Sequence, residues 1–75
     1  MSQFEKNLRA DIIQQFVSFS LPGAPKQVAK ERLYKELQAP PYNYNRYDVM
    51  AELDVMKGEK LVAQDDTHFI YYEKP

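Results

Sequence analysis

The last third of the chain contains a helical apolar pattern that stops at a glycine, and this order constrains the fold more than any other feature. The pattern runs from Asn45 to Lys57, and its apolar residues recur at spacings of four and three: Val49, Leu53 and Met56. Asn45 is a suitable N-terminal cap, and Gly58 is suited to the left-handed residue that often ends a helix. The pattern therefore predicts a helix that begins after Asn45 and ends at Gly58.

Two short runs of strand-forming residues follow this helix directly. The first begins at Leu61 and Val62, and the chain then reverses around residues 65–67, where two aspartates suit a turn. The second run, residues 68–72, alternates with aromatic side chains on both faces. Because a two-stranded hairpin alone is marginal in water, we expect it to pack on the helices or to gain a third strand from the segment around Gly23.

An amphipathic helix is predicted at the start of the chain. Ser2 and Glu5 have the spacing of a capping box. The apolar residues that follow recur at spacings of four and three: Phe4, Leu8, Ile12, Phe16 and Phe19. This helix should extend to about Ser20 and pack through one broad apolar face.

A second, shorter helix is predicted between two segments that contain proline. Residues 22–25 break the first helix, and Pro25 is suited to the first position of the next one. The predicted helix covers residues 26–38 and has an apolar residue at every fourth position: Ala29, Leu33 and Leu37. Pro40 and Pro41 prevent its continuation.

The length and composition predict one small globular domain spanning residues 1–75. A chain of 75 residues buries only about 60% of its surface, and 44% hydrophobic with 28% charged residues is a composition that folds. There is no cysteine, so packing alone must stabilise the domain. No apolar run approaches the roughly 20 residues that span a bilayer, and no secretion signal is evident. We therefore expect a cytoplasmic protein with no membrane contact.

At this point the chain resembles the winged helix-turn-helix family. The residues that carry the resemblance are those of the third helix and the start of the hairpin: Val49, Leu53, Met56, Leu61 and Val62. The resemblance implies an α+β fold, a small three-helix winged helix-turn-helix domain with a C-terminal β-hairpin wing. It also implies binding of double-stranded DNA and transcription regulation. In that mode the third helix lies in the major groove, the second crosses the backbone, and the wing contacts phosphate or the minor groove.

The basic residues of the second helix are the strongest candidate phosphate contacts. Between Lys26 and Lys35 the chain carries four basic residues and one acidic residue, Glu31, which gives a local charge of +3. On the DNA hypothesis, Lys26, Lys30 and Lys35 contact phosphates. The alternative is that these lysines form an ordinary solvated helix face.

The segment before the third helix is rich in tyrosine and asparagine. On the DNA hypothesis, Asn43, Asn45, Arg46 and Tyr47 contact the DNA, and Arg46 is the main base-reading residue. The tyrosine side chains of residues 42–47 are equally suited to a protein-binding surface. They are also suited simply to covering the small core, and all three interpretations remain open.

The charge of the third helix and hairpin favours a protein partner over DNA. From Arg46 to Asp66 there are three basic and six acidic residues, a balance of −3, and the whole chain has a formal charge of −1. Carboxylates repel the phosphate backbone, which contributes most of the affinity of DNA-binding proteins.

The helix face opposite Val49 supplies the candidate site for such a partner: Tyr47, Asp48, Ala51, Glu52 and Val55. Within it, Tyr47, Ala51 and Val55 form an apolar stripe at spacings of four, suited to a protein partner or to a second copy of the chain in a homodimer. Alternatively, the helix is rotated and the hairpin covers the stripe. Two hypotheses remain, a DNA-binding regulator and a protein-interaction module or inhibitor.

Enzymatic chemistry has little support in the sequence. His68 is the single histidine, and Asp65 and Asp66 lie close to it, but no cysteine, glycine-rich phosphate loop or nucleophile motif accompanies them. Metal coordination would need further ligands. We therefore expect no enzyme activity, no cofactor and no metal site.

Overall fold

The computed structural model describes residues 2–19 and 26–72, which form three helices and a three-stranded antiparallel sheet. In chain order the elements are α1 (Gln3–Phe19), β1 (Lys26–Ala29), α2 (Lys30–Gln38), α3 (Arg46–Gly58), β2 (Val62–Gln64) and β3 (His68–Tyr71). The strand order in the sheet is β1-β3-β2. This α+β arrangement is consistent with a winged-helix layout, and it confirms the fold class that the sequence predicted.

Helix α1 begins with the capping box expected from the sequence. The backbone N–H of Glu5 donates to Ser2 Oγ at 3.1 Å, and the Ser2 hydroxyl donates to Glu5 Oε1 at 3.1 Å. The last described residue of this helix is Phe19, so Ser20, its expected end, lies outside the described residues. Among the residues that the structure describes, no helix is both long enough and apolar enough to cross a bilayer.

Strand β1 occupies residues that the sequence analysis assigned to the second helix. Residues 26–29 pair antiparallel with β3, and Val28 within them is buried. Helix α2 therefore begins at Lys30, and the prediction of a helix from Lys26 was wrong. Pairing with β3 satisfies backbone groups and buries Val28, which outweighs the local helical spacing. The predicted breaking segment, residues 22–25, lies outside the described residues.

The central strand of the sheet is β3, the last element of the chain. It pairs with β1 on one edge and with β2 on the other. A third strand from the segment around Gly23 was one of two alternatives for the hairpin; the strand observed is Lys26–Ala29, and Gly23 itself lies outside the described residues. The reversal between β2 and β3 is held by Asp65, whose Oδ1 accepts from the backbone N–H of Thr67 and of His68. The first residue of α2 is tied to this turn, because the Lys30 N–H donates to the carbonyl of Thr67 at 2.9 Å.

The core lies between the three helices and one face of the sheet. Its most deeply buried side chains come from all three helices: Leu8, Ile12, Phe16, Leu33, Leu37, Val49, Leu53 and Met56. Two ring contacts join helices to the sheet. Phe16 stacks on Tyr71 with centroids 5.5 Å apart, and Tyr34 packs edge-on against Phe69 at 5.9 Å. Burial of these apolar surfaces is the main source of stability in a chain without disulfides.

The residue with the left-handed conformation at the C-terminal end of α3 is not the one expected. Gly58 is the last helical residue, and the left-handed residue that ends the helix is Lys60, with φ of 63°. The Leu61 N–H donates to the Met56 carbonyl, and the Lys60 N–H donates to the Lys57 carbonyl. These two bonds are those of a Schellman motif. The prediction that Gly58 takes the left-handed conformation was therefore wrong.

Candidate functional site

The start of α3 contains Arg46, the residue predicted to read bases, and its guanidinium is already engaged within the domain. Arg46 Nη2 donates to Glu31 Oε1 at 3.0 Å, and Nη1 donates to Oε2 at 3.4 Å. The guanidinium carbon lies 4.0 Å from the centroid of the Tyr34 ring. The hydrogen bond from Arg46 lowers the pKa of the Glu31 carboxyl. Arg46 would therefore have to leave Glu31 before its fork of donors could bind a base edge.

The asparagines predicted to contact DNA have structural roles in the loop before α3. Asn45 caps the helix, and its Oδ1 accepts from the backbone N–H of Tyr47 at 2.7 Å. Asn43 is exposed and has φ of 53°, a left-handed conformation that asparagine tolerates better than most residues. Its backbone N–H donates to the carbonyl of Ala39. The side-chain amide of Asn43 remains at the surface, whereas that of Asn45 is used by the cap.

The three tyrosines of this segment divide into two groups. Tyr42 and Tyr44 pack against the core and stack on each other, with centroids 6.3 Å apart. The Tyr44 hydroxyl donates to Asp11 Oδ2 at 2.5 Å, and burial together with this bond raises the pKa of Tyr44 to about 12. Tyr47 is 78% exposed. Only Tyr47, therefore, presents most of its ring to a ligand.

The predicted phosphate contacts lie on two elements rather than on one helix. Lys26 lies on β1, opposite Tyr71 in the sheet register. Lys30 is the first residue of α2, and its Nζ lies 5.6 Å from the centroid of the Phe69 ring. Lys35 is exposed near the end of α2. These three lysines are close in sequence, but the structure distributes them along β1 and α2.

The charge on α2 is also distributed around the helix. Lys30 and Arg32 are two residues apart, about 200° around an α-helix, so they project to opposite sides. The Arg32 guanidinium lies 4.0 Å from the centroid of the Phe19 ring on α1. Glu31 and Glu36 lie on the same helix. A uniformly basic face comparable to a phosphate-binding surface is therefore not formed by the described part of α2.

The outer face of α3 exposes the apolar stripe that the sequence analysis identified. Tyr47 and Val55 are 78% and 48% exposed, and Ala51 between them is also exposed. The hairpin does not cover these residues, so the alternative of a rotated helix is wrong. Asp48 is exposed in the first turn of the helix. Four of the five residues proposed for a protein partner thus lie at the surface.

The fifth residue, Glu52, was assigned to this exposed face, and that assignment was wrong. Glu52 is 5% exposed, and its Oε2 accepts a hydrogen bond from Arg9 Nε at 2.7 Å. Arg9 Nη2 also lies 2.7 Å from Glu59 Oε1, so one arginine on α1 joins two carboxylates of α3. Desolvation lowers the pKa of Arg9, but its bonds with Glu59 and Glu52 outweigh this and raise it. A carboxylate can be buried here because Arg9 neutralises it.

An open groove of about 310 Å³ lies between the first turns of α1 and the side of α3. Its apolar lining is formed by Phe4, Leu8, Ala51 and Val55, and its acidic lining by Glu5, Asp48 and Glu52. Three residues of the exposed α3 face, Asp48, Ala51 and Val55, therefore also form one wall of this groove.

Sequence reasoning missed the contribution of α1 to this site. Phe4 was expected within the buried stripe, but it is 51% exposed, and its ring packs edge-on against Tyr44. The pairing of Arg9 with Glu52 joins residues 43 positions apart, so no local spacing could indicate it. A basic residue beside an apolar stripe was the only signal available, and it does not identify a partner.

His68 follows the turn between β2 and β3 and is the first residue of β3. His68 Nδ1 lies 2.7 Å from Thr67 Oγ1 and 4.0 Å from Asp65 Oδ1. Over residues 2–19 and 26–72, no group of three or more histidine or acidic side chains is placed to hold a metal ion.

Comparison with protein-family models, with curated proteins and with solved structures finds no match to this chain.

Proposed function

We propose that this chain is a protein-interaction module of winged-helix layout that binds a protein partner through the exposed side of α3. The observation that carries this proposal is the exposed apolar stripe of Tyr47, Ala51 and Val55 beside an open groove. Apolar residues that remain exposed together on a small domain mark a binding surface more often than isolated ones do. Tyr47, at one end of the stripe, offers a large contact area at low entropic cost.

The charges on and near α3 support a protein partner over DNA. Asp48 and Asp54 are exposed on the helix, and Lys57 is paired with Asp54 at 3.0 Å. Asp65 and Asp66 lie at the exposed tip of the hairpin. Phosphates would meet these carboxylates if α3 and the hairpin approached DNA in the usual winged-helix orientation.

Site-specific photocrosslinking tests this proposal. A photoreactive side chain at Tyr47, in the cells that express the protein, should give one discrete protein adduct, which mass spectrometry identifies and the purified pair reproduces. Val55→Arg should abolish the adduct. Because Val55 is half exposed, this change should cost less than about 0.5 kcal/mol of stability.

Val17→Arg is the matched control, because Val17 is 45% exposed on α1 and does not line the groove. It should leave the adduct unchanged. An adduct that forms equally in the Val55→Arg chain, or crosslinking to nucleic acid alone, would contradict the proposal.

DNA binding is the second candidate function, and the basic residues of β1 and α2 favour it. Lys26, Lys30 and Lys35 are the residues through which duplex DNA would be held. Titration of labelled protein with a generic duplex at low salt distinguishes the two candidates. Amide shifts at residues 26–35 and 43–47 that disappear with added salt would support DNA. A spectrum without shifts would leave the protein partner as the better conclusion.

A further inference from the structure

The groove between α1 and α3 has a lining that selects for one kind of occupant. We propose that it binds a basic amphipathic helix of the partner protein, an inference that rests on the proposed function and specifies its partner. Apolar side chains of that helix would lie on Phe4 and Val55, and its lysines or arginines would face Glu5 and Asp48.

The apolar part of the groove is already ordered to receive side chains. Phe4 is held edge-on by Tyr44 with centroids 5.9 Å apart, yet half of its surface remains exposed. Val55 is exposed to a similar extent on the opposite wall, and Leu8 is buried between the two helices. Because Phe4 is positioned before binding, its side chain loses little further conformational entropy when a ligand contacts it.

The polar part of the groove is acidic except for Ser2. Of its lining residues, three carry carboxylates and none carries a positive charge. Arg9 neutralises Glu52. The charges left for a ligand are those of Glu5 and Asp48, which lie in the first turns of α1 and α3. These two carboxylates face the groove and attract cationic side chains.

The geometry favours a helix as the occupant. The walls are two helices, and a groove between helices receives another helix through residues spaced at i, i+3 or i+4, and i+7. An extended peptide would instead require a sheet edge with open backbone groups. The groove walls offer helix side chains rather than such an edge.

A second copy of this chain fits the groove poorly. In a two-fold dimer the same patch faces itself, so Glu5 and Asp48 would meet their own copies. The basic helix α2 of another copy supplies charge, but its exposed residues are all polar: Glu31, Arg32, Lys35 and Gln38. It has no apolar side chain to place on Phe4. The occupant must combine both properties, which makes it a different protein.

A pair of synthetic helices tests this inference. The first is a peptide of about 15 residues with leucine at helical spacing on one face and lysine elsewhere, long enough to form a helix. The second has glutamate in place of every lysine. Titrated into labelled protein, the lysine peptide should shift amides of residues 2–8 and 48–55. The glutamate peptide should bind at least about tenfold more weakly, since like charges face the groove.

Three variants locate the binding. Val55→Arg should weaken the lysine peptide by at least about tenfold, whereas Val17→Arg should not change its affinity. Glu5→Gln combined with Asp48→Asn should weaken it and reduce its salt dependence, while glutamine preserves the capping box. Circular dichroism of each variant confirms that it folds.

The inference is overturned if the lysine peptide causes no amide shifts at a concentration of about 1 mM, because a dissociation constant above that value is too weak for a specific interface. It is also overturned if both peptides bind equally or if Val17→Arg weakens binding as much as Val55→Arg. If the lysine peptide does not bind but the Tyr47 adduct still forms, the proposed function stands and only the basic amphipathic helix is the wrong partner class. If the adduct also fails, the proposed function is wrong as well.

Discussion

At the scale of single residues, the turn that ends α3 places its glycine and its lysine where the opposite is expected. Glycine is the residue best suited to the left-handed position, and lysine is the better helix former. Gly58 is helical, and a Cβ added there meets no atom within 4 Å, whereas Lys60 holds the left-handed conformation. A glycine inside a helix destabilises the folded state, because it loses more backbone entropy on folding than other residues do. A lysine with positive φ is strained.

Gly58→Ala should therefore raise the free energy of unfolding by about 0.5–1 kcal/mol, because the helix gains a better helix former. Lys60→Gly should raise it by up to about 1 kcal/mol, because the strain at positive φ is relieved. Urea denaturation measures both changes. Lys60→Ala is the control and should change stability by less than about 0.5 kcal/mol. Destabilisation by Gly58→Ala would show that Gly58 is the left-handed residue.

Asp65 makes the hairpin turn sensitive to acid. Its carboxylate accepts from the backbone N–H groups of Thr67 and His68, and these bonds lower the pKa of Asp65 from its ordinary value. Because the folded-state pKa is lowered, the stabilisation is present above the unfolded pKa and is lost as the pH falls through the folded pKa.

An NMR pH titration should accordingly give a midpoint below that of an aspartate in an unfolded peptide for the amide shifts of Thr67 and His68. Asp65→Asn retains the acceptor oxygen but cannot titrate, so its amide shifts should show no such transition. A midpoint equal to or above that of the unfolded peptide would contradict the assignment of these hydrogen bonds.

At the scale of elements, the packing of α1 on α3 depends on one ion pair as well as on apolar contacts. Arg9 is 18% exposed and Glu52 is 4% exposed in their side chains, so neither is fully hydrated. Removal of one partner leaves the other charge partly desolvated, which costs more than the pair itself contributes.

Arg9→Met should destabilise the domain by about 2–4 kcal/mol, since it leaves the Glu52 carboxylate buried without its partner. Glu52→Gln should cost less, because the amide oxygen still accepts from Arg9. The double variant Arg9→Met with Glu52→Leu should be more stable than the sum of the separate effects of Arg9→Met and Glu52→Leu predicts. Urea denaturation of the cycle measures this coupling.

The surface pair of Asp54 and Lys57 provides the control for that cycle. Asp54 is 70% exposed in its side chain, so Asp54→Asn should cost less than about 1 kcal/mol. If Arg9→Met costs no more than Asp54→Asn, the Arg9 pair does not stabilise the contact between α1 and α3.

At the scale of the whole molecule, the balance of acidic and basic residues differs between parts of the domain. Lys26, Lys30 and Lys35 lie on β1 and α2, whereas α3 and the hairpin carry most of the exposed carboxylates. A formal charge of −1 therefore conceals two regions of opposite sign. The two candidate functions use different regions, so charge variants can separate them.

If the β1 and α2 region binds duplex DNA, Lys35→Gln should reduce the slope of log affinity against log salt by about 0.9, because one phosphate contact is lost. Fluorescence anisotropy with a labelled duplex measures this slope. Lys57→Gln, on α3 and paired with Asp54, is the control and should leave the slope unchanged. Equal slopes in both variants would exclude the proposed phosphate contacts.

The sequence by itself determined the elements whose signals are local. The Ser2 capping box, the Asn45 cap, the apolar spacing of α1 and α3, and the Asp65 turn each depend on residues a few positions apart. Side chains at that separation meet in any helix or turn, whatever the rest of the chain does. Their positions could therefore be predicted. The exposure of Tyr47, Ala51 and Val55 was one of two open alternatives, because it depends on how α3 is rotated against the rest of the fold.

Only the tertiary structure decided the features that join distant residues. Strand β1 forms because β3 offers a second edge. Glu52 is buried because Arg9 reaches it from α1. The groove exists because the packing of α1 on α3 leaves Phe4 half exposed. Each depends on a contact between segments far apart in the chain, where local propensity is overridden by pairing, neutralisation and packing. The acidic groove, the most specific part of the candidate site, is of this second kind.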